Sequence, residues 1–112
     1  MRKGLSKKKY LLSVLIILSM GISSYFIFKK ITVKKQVASL KNILRNSPEK
    51  VEESHRLGLL YMYEGELEKA EKEFLAILKV DPYNTKALNS IGMVYYRKGE
   101  LYRALTYWRS LL

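Results

Sequence analysis

The chain repeats its own residue pattern with a period of 34. Seven positions in one stretch keep their chemical type when 34 is added to their number. The first copy has Leu57, Gly58, Tyr61, Gly65, Ala70, Phe74 and Ile77, and the second has Ile91, Gly92, Tyr95, Gly99, Ala104, Trp108 and Leu111. A fixed period of about 20 to 50 residues is typical of stacked repeats, in which a single unit cannot bury its own apolar face. The sequence therefore predicts two copies of one small supersecondary unit.

The glycines within each copy indicate how its helices pack and turn. Gly58 and Gly92 lie inside apolar helical runs, where glycine costs about 1 kcal/mol relative to alanine, so we expect a close helix-helix approach at both. Gly65 and Gly99 follow the first helix of each copy, and glycine allows the left-handed conformation that ends a helix. The space between the helices is predicted to be filled by Tyr61, Phe74, Tyr95 and Trp108.

This pattern resembles the tetratricopeptide repeat, a helix-turn-helix unit with L-G-x-x-Y in its first helix, A-x-x-x-F in its second, and a proline after it. The first copy reads LGLLY at 57–61, AEKEF at 70–74 and then Asp81-Pro82, and the second reads IGMVY at 91–95 and ALTYW at 104–108. Ser54 and Trp108 depart from the residues usual in the family. The resemblance implies an all-α fold, an α-α superhelix, with one repeat at 51–84 and a second at 85–112 that is incomplete at its carboxyl end.

The positive charge lies outside the repeats. Residues 1–50 contain 12 Lys and Arg and one acid, whereas residues 51–112 contain nine of each sign. The basic residues flank one apolar segment, as membrane topology and anionic lipid headgroups favour. A neutral repeat region is a poor match to a phosphate backbone, so we expect no nucleic acid partner.

Residues 11–28 carry no charged side chain. At about 1.5 Å per residue, a helix of this length approaches the roughly 30 Å hydrocarbon core of a bilayer. We predict a basic tail at 1–9 and a transmembrane anchor at 10–31, with the lipid bilayer as a partner. The short basic tail favours an amino terminus inside and repeats on the extracytoplasmic side, although both flanks are similarly basic.

The amino-terminal segment has a second interpretation. A cleavable secretory signal stays open because Ser19-Met20-Gly21 is a small-x-small triplet, and cleavage there leaves a secreted soluble repeat protein. A lipoprotein is excluded, since the chain has no cysteine to acylate.

The connector at 32–50 is predicted to be a half-repeat. It contains apolar residues at helical spacing, namely Val37, Leu40, Ile43 and Leu44. Pro48 lies 34 residues before Pro82, so the connector helix corresponds to the second helix of a preceding repeat. We expect it to pack on the first repeat as a cap, and the alternative is an amphipathic segment on the lipid surface.

The sequence lacks the residues of a catalytic or metal centre. It contains one histidine, His55, one aspartate, Asp81, no cysteine and no glycine-rich phosphate loop. We therefore predict no enzymatic activity and no cofactor. The glutamates between 64 and 73 are interpreted as a solvated helix face, with attraction of a basic partner as the alternative.

Protein binding is the predicted function. In the family the first helices line a concave groove, and by that resemblance the groove is formed by His55, Leu59, Met62, Tyr63, Asn89, Met93, Tyr96 and Arg97. His55 and Leu59 depart from the lysine and asparagine set that clamps a terminal carboxylate in chaperone-binding members. Methionine gives an adaptable apolar surface, so we expect a helical or extended peptide as ligand.

The carboxyl end is predicted to be a second contact surface. Repeat arrays usually end in a helix with a polar outer face, and none follows here, so an open edge formed by Tyr107, Leu111 and Leu112 is expected to bind a partner or to mediate self-association. The sequence thus predicts a single-pass, membrane-anchored repeat scaffold. A permanent structural subunit of a membrane complex is the alternative function.

Overall fold

The fold consists of helices alone. The computed structural model describes residues 2–112, apart from the side chains of Arg2, Lys3 and Leu5. Arg2 and Lys3 of the predicted basic tail therefore have no described side chain, and Met1 lies outside the described residues. Within residues 2–112 there are five helices and no strand, which confirms the all-α prediction. They are α1 Arg2–Asn46, α2 Val51–Glu64, α3 Leu67–Val80, α4 Thr85–Arg97 and α5 Leu101–Arg109.

The chain divides into two units, Met1–Lys35 and Gln36–Leu112. Within the first unit, the apolar side chains from Tyr10 to Phe28 are exposed on every side of α1. Among the described helices, α1 alone is long and apolar enough to cross a membrane, by length and composition. A signal sequence has the same properties.

Helices α2 to α5 form two successive hairpins, in which α2 packs on α3 and α4 packs on α5. Gly65 and Gly99 separate the paired helices with φ angles of 79° and 81°. These angles confirm the predicted left-handed turns, since a side chain at positive φ costs about 1–2 kcal/mol. At the start of α4, the side chain of Asn84 accepts a hydrogen bond of 2.9 Å from the Ala87 amide, which caps the second hairpin.

The close helix crossings predicted at Gly58 and Gly92 are confirmed. A Cβ added to Gly58 would lie 2.5 Å from Cε1 of Phe74, and one added to Gly92 would overlap the indole of Trp108. Ala70 and Ala104, the other small residues, are completely buried. The aromatic side chains of the second helices thus fill the space that the glycines leave open.

One core joins the end of α1 to both hairpins. Leu40 is buried in the same cluster as Leu57, Tyr61 and Phe74, and Val37 and Leu44 pack against that cluster. The apolar face of the connector is therefore turned toward the first repeat, as expected of a cap. The ammonium nitrogen of Lys41 lies 5.8 Å from the ring centroid of Tyr61, so the positive charge lies over an aromatic face at the border of this core.

Candidate partner-binding surface

An exposed and largely apolar surface lies on the first helices of the two hairpins. Leu59 and Met93 occupy equivalent positions on α2 and α4, and they are 45% and 42% exposed. Tyr63 and Tyr96 follow them at helical spacing and are also exposed, so each pair shares one helix face. We call these four residues the α2–α4 surface. These four predicted groove residues are thus exposed, and their role in binding stays a prediction.

The expected exposure of Met62 is wrong. This residue is 8% exposed and belongs to the core. The reason is that α4 packs on this side of α2, as shown by Arg97, whose guanidinium donates a hydrogen bond of 2.6 Å to the Met62 carbonyl. Tyr96, the counterpart of Met62 one repeat later, lies on α4 and is exposed.

His55 connects the two repeats. Its Nε2 lies 2.9 Å from the hydroxyl of Ser90 on α4, and its ring centroid lies 5.5 Å from that of Phe74 on α3. Burial lowers the pKa of His55 below its usual value, and nearby Lys86 also disfavours the charged form, whereas Glu52 acts in the opposite direction. A half-buried, hydrogen-bonded histidine of this kind holds two helices together.

The other two polar residues predicted for the groove, Arg97 and Asn89, differ in whether their side chains have a partner within the protein. Arg97 is occupied in the hydrogen bond that caps the carboxyl end of α2. The Asn89 side chain is exposed, and its backbone carbonyl lies 3.4 Å from the indole nitrogen of Trp108. Of the two, the Asn89 side chain is the one left for a ligand.

A polar cluster that the sequence did not reveal links α3 to the second hairpin. The carboxylate of Glu71 accepts hydrogen bonds from the Tyr95 hydroxyl at 2.6 Å and from the Lys98 ammonium at 2.7 Å. Burial alone would raise the pKa of Glu71, but the hydrogen bonds from Lys98 and Tyr95, together with the positive charges of Lys98 and Arg103, keep that pKa below its usual value. Burial, together with the bond to the Glu71 carboxylate, raises the pKa of Tyr95 to about 12.

The interpretation of the glutamates as a purely solvated face is therefore wrong at Glu71. Its partners are 24 and 27 residues away in the sequence, a separation that no helical spacing rule covers. The sequence feature that could have predicted this contact is Tyr95, which the repeat pattern places in the core. The hydroxyl of a buried tyrosine needs a hydrogen-bond partner.

The predicted carboxyl-terminal edge is only partly exposed. Leu111 and Leu112 are exposed. Tyr107 is half-buried, because its ring stacks on that of Tyr95 with a centroid distance of 5.6 Å. Tyr107 was expected to be exposed like the two leucines, which is wrong, and contact of this edge with a partner or a second copy stays a prediction.

The described part of the chain shows no cluster of side chains that could act as a metal centre. No group of three or more His, Asp or Glu residues there has the arrangement of a metal site. His55, the one histidine, is engaged by Ser90.

Comparison with known proteins agrees with this fold. Residues 54–84 match the family model described as tetratricopeptide repeat, and the second hairpin repeats the same pattern with the same packing. The chain thus contains a tetratricopeptide repeat at residues 54–84, a fold of the class that serves as a scaffold for protein-protein interaction.

Solved structures of MamA share this fold. One crystal structure of MamA matches with a TM-score of 0.68 and 24% identity over 74% of this chain and 48% of that chain. A second gives a TM-score of 0.64 and 26% identity over 66% of this chain and 40% of that chain. This chain therefore spans less than half the length of both. No curated protein has a sequence that matches the chain at a significant level.

Proposed function

We propose that this protein is a membrane-anchored adaptor without catalytic activity, which holds a protein partner near the bilayer. The α2–α4 surface carries the proposal. Two aliphatic and two aromatic side chains lie exposed on adjacent first helices, and aromatic residues and methionine are enriched at protein interfaces. A helical or extended peptide with apolar side chains fits such a surface.

The first unit supports the anchor. Its uncharged segment 11–28 has lysines on both sides, which is typical of a membrane span whose ends lie at the headgroups. The amino terminus is proposed to lie inside, with the repeats on the extracytoplasmic side. Because the chain has no cysteine, a Tyr83→Cys variant has a single thiol at an exposed site, and a membrane-impermeant maleimide applied to intact cells is expected to label it.

Partner capture tests the adaptor function. In detergent-solubilised membranes, Leu59→Glu and Met93→Glu are each expected to reduce partner recovery at least about tenfold, since a carboxylate placed in an apolar interface loses its hydration. Val80→Glu is the matched control, because Val80 is exposed at the end of α3 and lies outside the α2–α4 surface. Unchanged recovery with both variants, at unchanged helicity, rejects the α2–α4 surface as the binding site.

A permanent structural subunit is the second candidate. The exposed Leu111 and Leu112 favour it, because neighbouring apolar side chains that are exposed are commonly covered in an assembly. Co-purification in a fixed stoichiometry that survives high salt supports this candidate, whereas a complex that dissociates on dilution supports the adaptor.

A further inference from the structure

An open groove of about 440 Å³ lies between the end of α1 and the side of α2. Its α1 wall includes Gln36, Leu40 and Ile43, and its α2 wall includes Arg56, Leu60 and Tyr63. All six residues belong to the second unit, Gln36–Leu112. The 34-residue period shows what a groove with these walls accommodates.

The α1 wall corresponds to a surface that already holds a helix. Adding 34 to Gln36, Leu40 and Ile43 gives Ala70, Phe74 and Ile77, the three buried residues of α3. In the structure, α2 packs on α3, and the Phe74 ring occupies the space above Gly58. The end of α1 therefore presents the face on which a first helix packs within a hairpin.

The α2 wall is equivalent to the side of α4 that packs against α2 one repeat later. Adding 34 to Arg56, Leu60 and Tyr63 gives Ser90, Val94 and Arg97 on α4. Ser90 bonds to His55 and Arg97 bonds to the Met62 carbonyl, both on α2, and Val94 is completely buried.

The counterparts of the two walls, 34 residues later, lie on α3 and α4, and together they enclose α2. The groove is consequently the position of the first helix of a preceding repeat.

The chain itself does not build that helix, and Ile31 explains why. A hairpin there would need a residue in the left-handed conformation 34 positions before Gly65, whose φ is 79°. That position is Ile31, a β-branched residue for which positive φ is strongly unfavourable. Instead, α1 continues as a helix through Ile31, and the hydroxyl of Thr32 donates a hydrogen bond of 2.9 Å to the Phe28 carbonyl in the preceding turn.

We propose that the groove accepts an amphipathic helix of a separate partner protein, which lies against α1 and α2 as α2 lies against α3 and α4. This inference rests on the adaptor function proposed above and names the kind of partner. The bound helix completes the missing hairpin, so its apolar side chains cover the half-buried Ile43 and pack beside Leu40, which the core already buries.

The substitutions between repeats define the chemistry of the bound helix. Arg56 replaces Ser90, whose partner is His55, so the residue of the bound helix at the position equivalent to His55 faces a guanidinium. Arg56 is exposed and forms no ion pair among the described residues. A carboxylate is the complementary group at that position.

Apolar residues are then required two and six positions further on, equivalent to Leu57 and Tyr61. Leu40 replaces the larger Phe74, so the position equivalent to Gly58 is not limited to glycine. The expected partner helix therefore has the pattern acid-x-apolar-x-x-x-apolar.

A peptide with a charge swap tests the groove directly. The probe is a helix-stabilised synthetic peptide with the sequence of residues 51–64 and glutamate at the position of His55, and the protein is the full chain in lipid nanodiscs. Binding to the wild-type chain is expected, with Arg56→Glu weakening it about tenfold. A second peptide with lysine at the same position is expected to bind Arg56→Glu better than it binds the wild type.

Two further variants complete this test. Arg109→Glu is the control for the change in net charge, since Arg109 is exposed on α5, and it should bind as the wild type does. Ser39→Trp places a large side chain at an exposed position in the groove and should block both peptides. No binding of the first peptide, or binding that ignores both Arg56→Glu and Ser39→Trp, overturns the proposal.

The natural occupant is identified with a photo-crosslinking residue at position 39 of the chain in intact membranes. A crosslink to a helix of another protein with the pattern given above supports the proposal. Crosslinks confined to a second copy of this chain, to its own residues 17–30, or to lipid overturn it. If Met93→Glu abolishes partner capture while Arg56→Glu and Ser39→Trp leave it intact, the adaptor function stands and the groove inference fails. If none of the three variants reduces capture, both fail.

Discussion

Replacing Gly58 by alanine tests whether the helix crossing of the first repeat depends on a missing side chain. The added Cβ would lie 2.5 Å from Cε1 and 2.7 Å from Cζ of Phe74, whereas carbon atoms in contact are ordinarily about 3.5–4.0 Å apart. Phe74 is completely buried, so its ring has no free space to enter. Overpacking of this kind lowers the free energy of unfolding by about 1–3 kcal/mol. The higher helix propensity of alanine raises it by up to about 1 kcal/mol.

The net expectation for Gly58→Ala is a loss of about 1–2 kcal/mol in the free energy of unfolding. The assay is urea unfolding of the full chain in detergent micelles, followed by the fluorescence of Trp108, the single tryptophan. In a Phe74→Leu background the obstacle is smaller, so the same glycine-to-alanine step should become neutral or stabilising.

Ala76→Gly, at an exposed position within α3, is the control that reports helix propensity alone, with an expected loss of about 1 kcal/mol. A Gly58→Ala protein that is as stable as the wild type or more stable, with Phe74 in place, refutes the close-approach argument.

Three polar contacts between helices lead to further predictions. The pKa of His55, the one histidine, is lowered in the folded state, so the unfolded chain binds a proton on this imidazole more readily. The free energy of unfolding should therefore fall as the pH drops below about 6.5. An NMR titration midpoint of His55 at or above that pH contradicts the prediction. Glu71→Gln should cost about 1–2 kcal/mol at pH 7 through weaker bonds to Lys98 and Tyr95. Because the pKa of Glu71 is lowered, its contribution is present at neutral pH and lost as the pH falls through that pKa, so urea unfolding should show wild type and variant converging in acid. Arg97→Met should cost about 1 kcal/mol, measured in the same way, by removing the guanidinium from a Met62 carbonyl that then keeps only the Gly65 amide as donor.

The period and the turns of the fold were predictable because they depend on local residue types. Gly65 and Gly99 are needed wherever a helix ends in the left-handed conformation, and Gly58 has no local reason to be in a helix. These residues therefore predicted both the hairpins and the crossing with Phe74. The packing of Leu40 on the first repeat was likewise predictable from helical spacing and from the position of Pro48.

The binding surface was predictable only in part, because exposure depends on which helix covers which. Met62 and Tyr96 are equivalent in the sequence pattern, yet Met62 is covered by α4 of the next repeat, whereas Tyr96 lies on α4 and is exposed. His55 and Arg97 were predicted to face a ligand, and each is engaged by a partner in the neighbouring repeat. Such contacts join residues 35 apart in the sequence, and only the geometry between repeats determines them.

The groove beside α1 shows what the structure adds to the period. From the sequence, the connector was expected to cap the array and so to close it. The structure leaves an open groove between this cap and α2, with walls equivalent to those around α2. The absence of a turn glycine at Ile31 is a feature of the sequence, but its consequence is visible only once α1 is seen to continue as a helix.

Site-specific crosslinking from Met93 in intact membranes shows whether these repeats hold a protein partner through the α2–α4 surface. A photo-crosslinking residue is placed at Met93, and Val80, which is also exposed but lies at the end of α3, is the control position. We expect a covalent adduct with one other protein from position 93 and none from position 80. No adduct from position 93, or the same adducts from both positions, would contradict it.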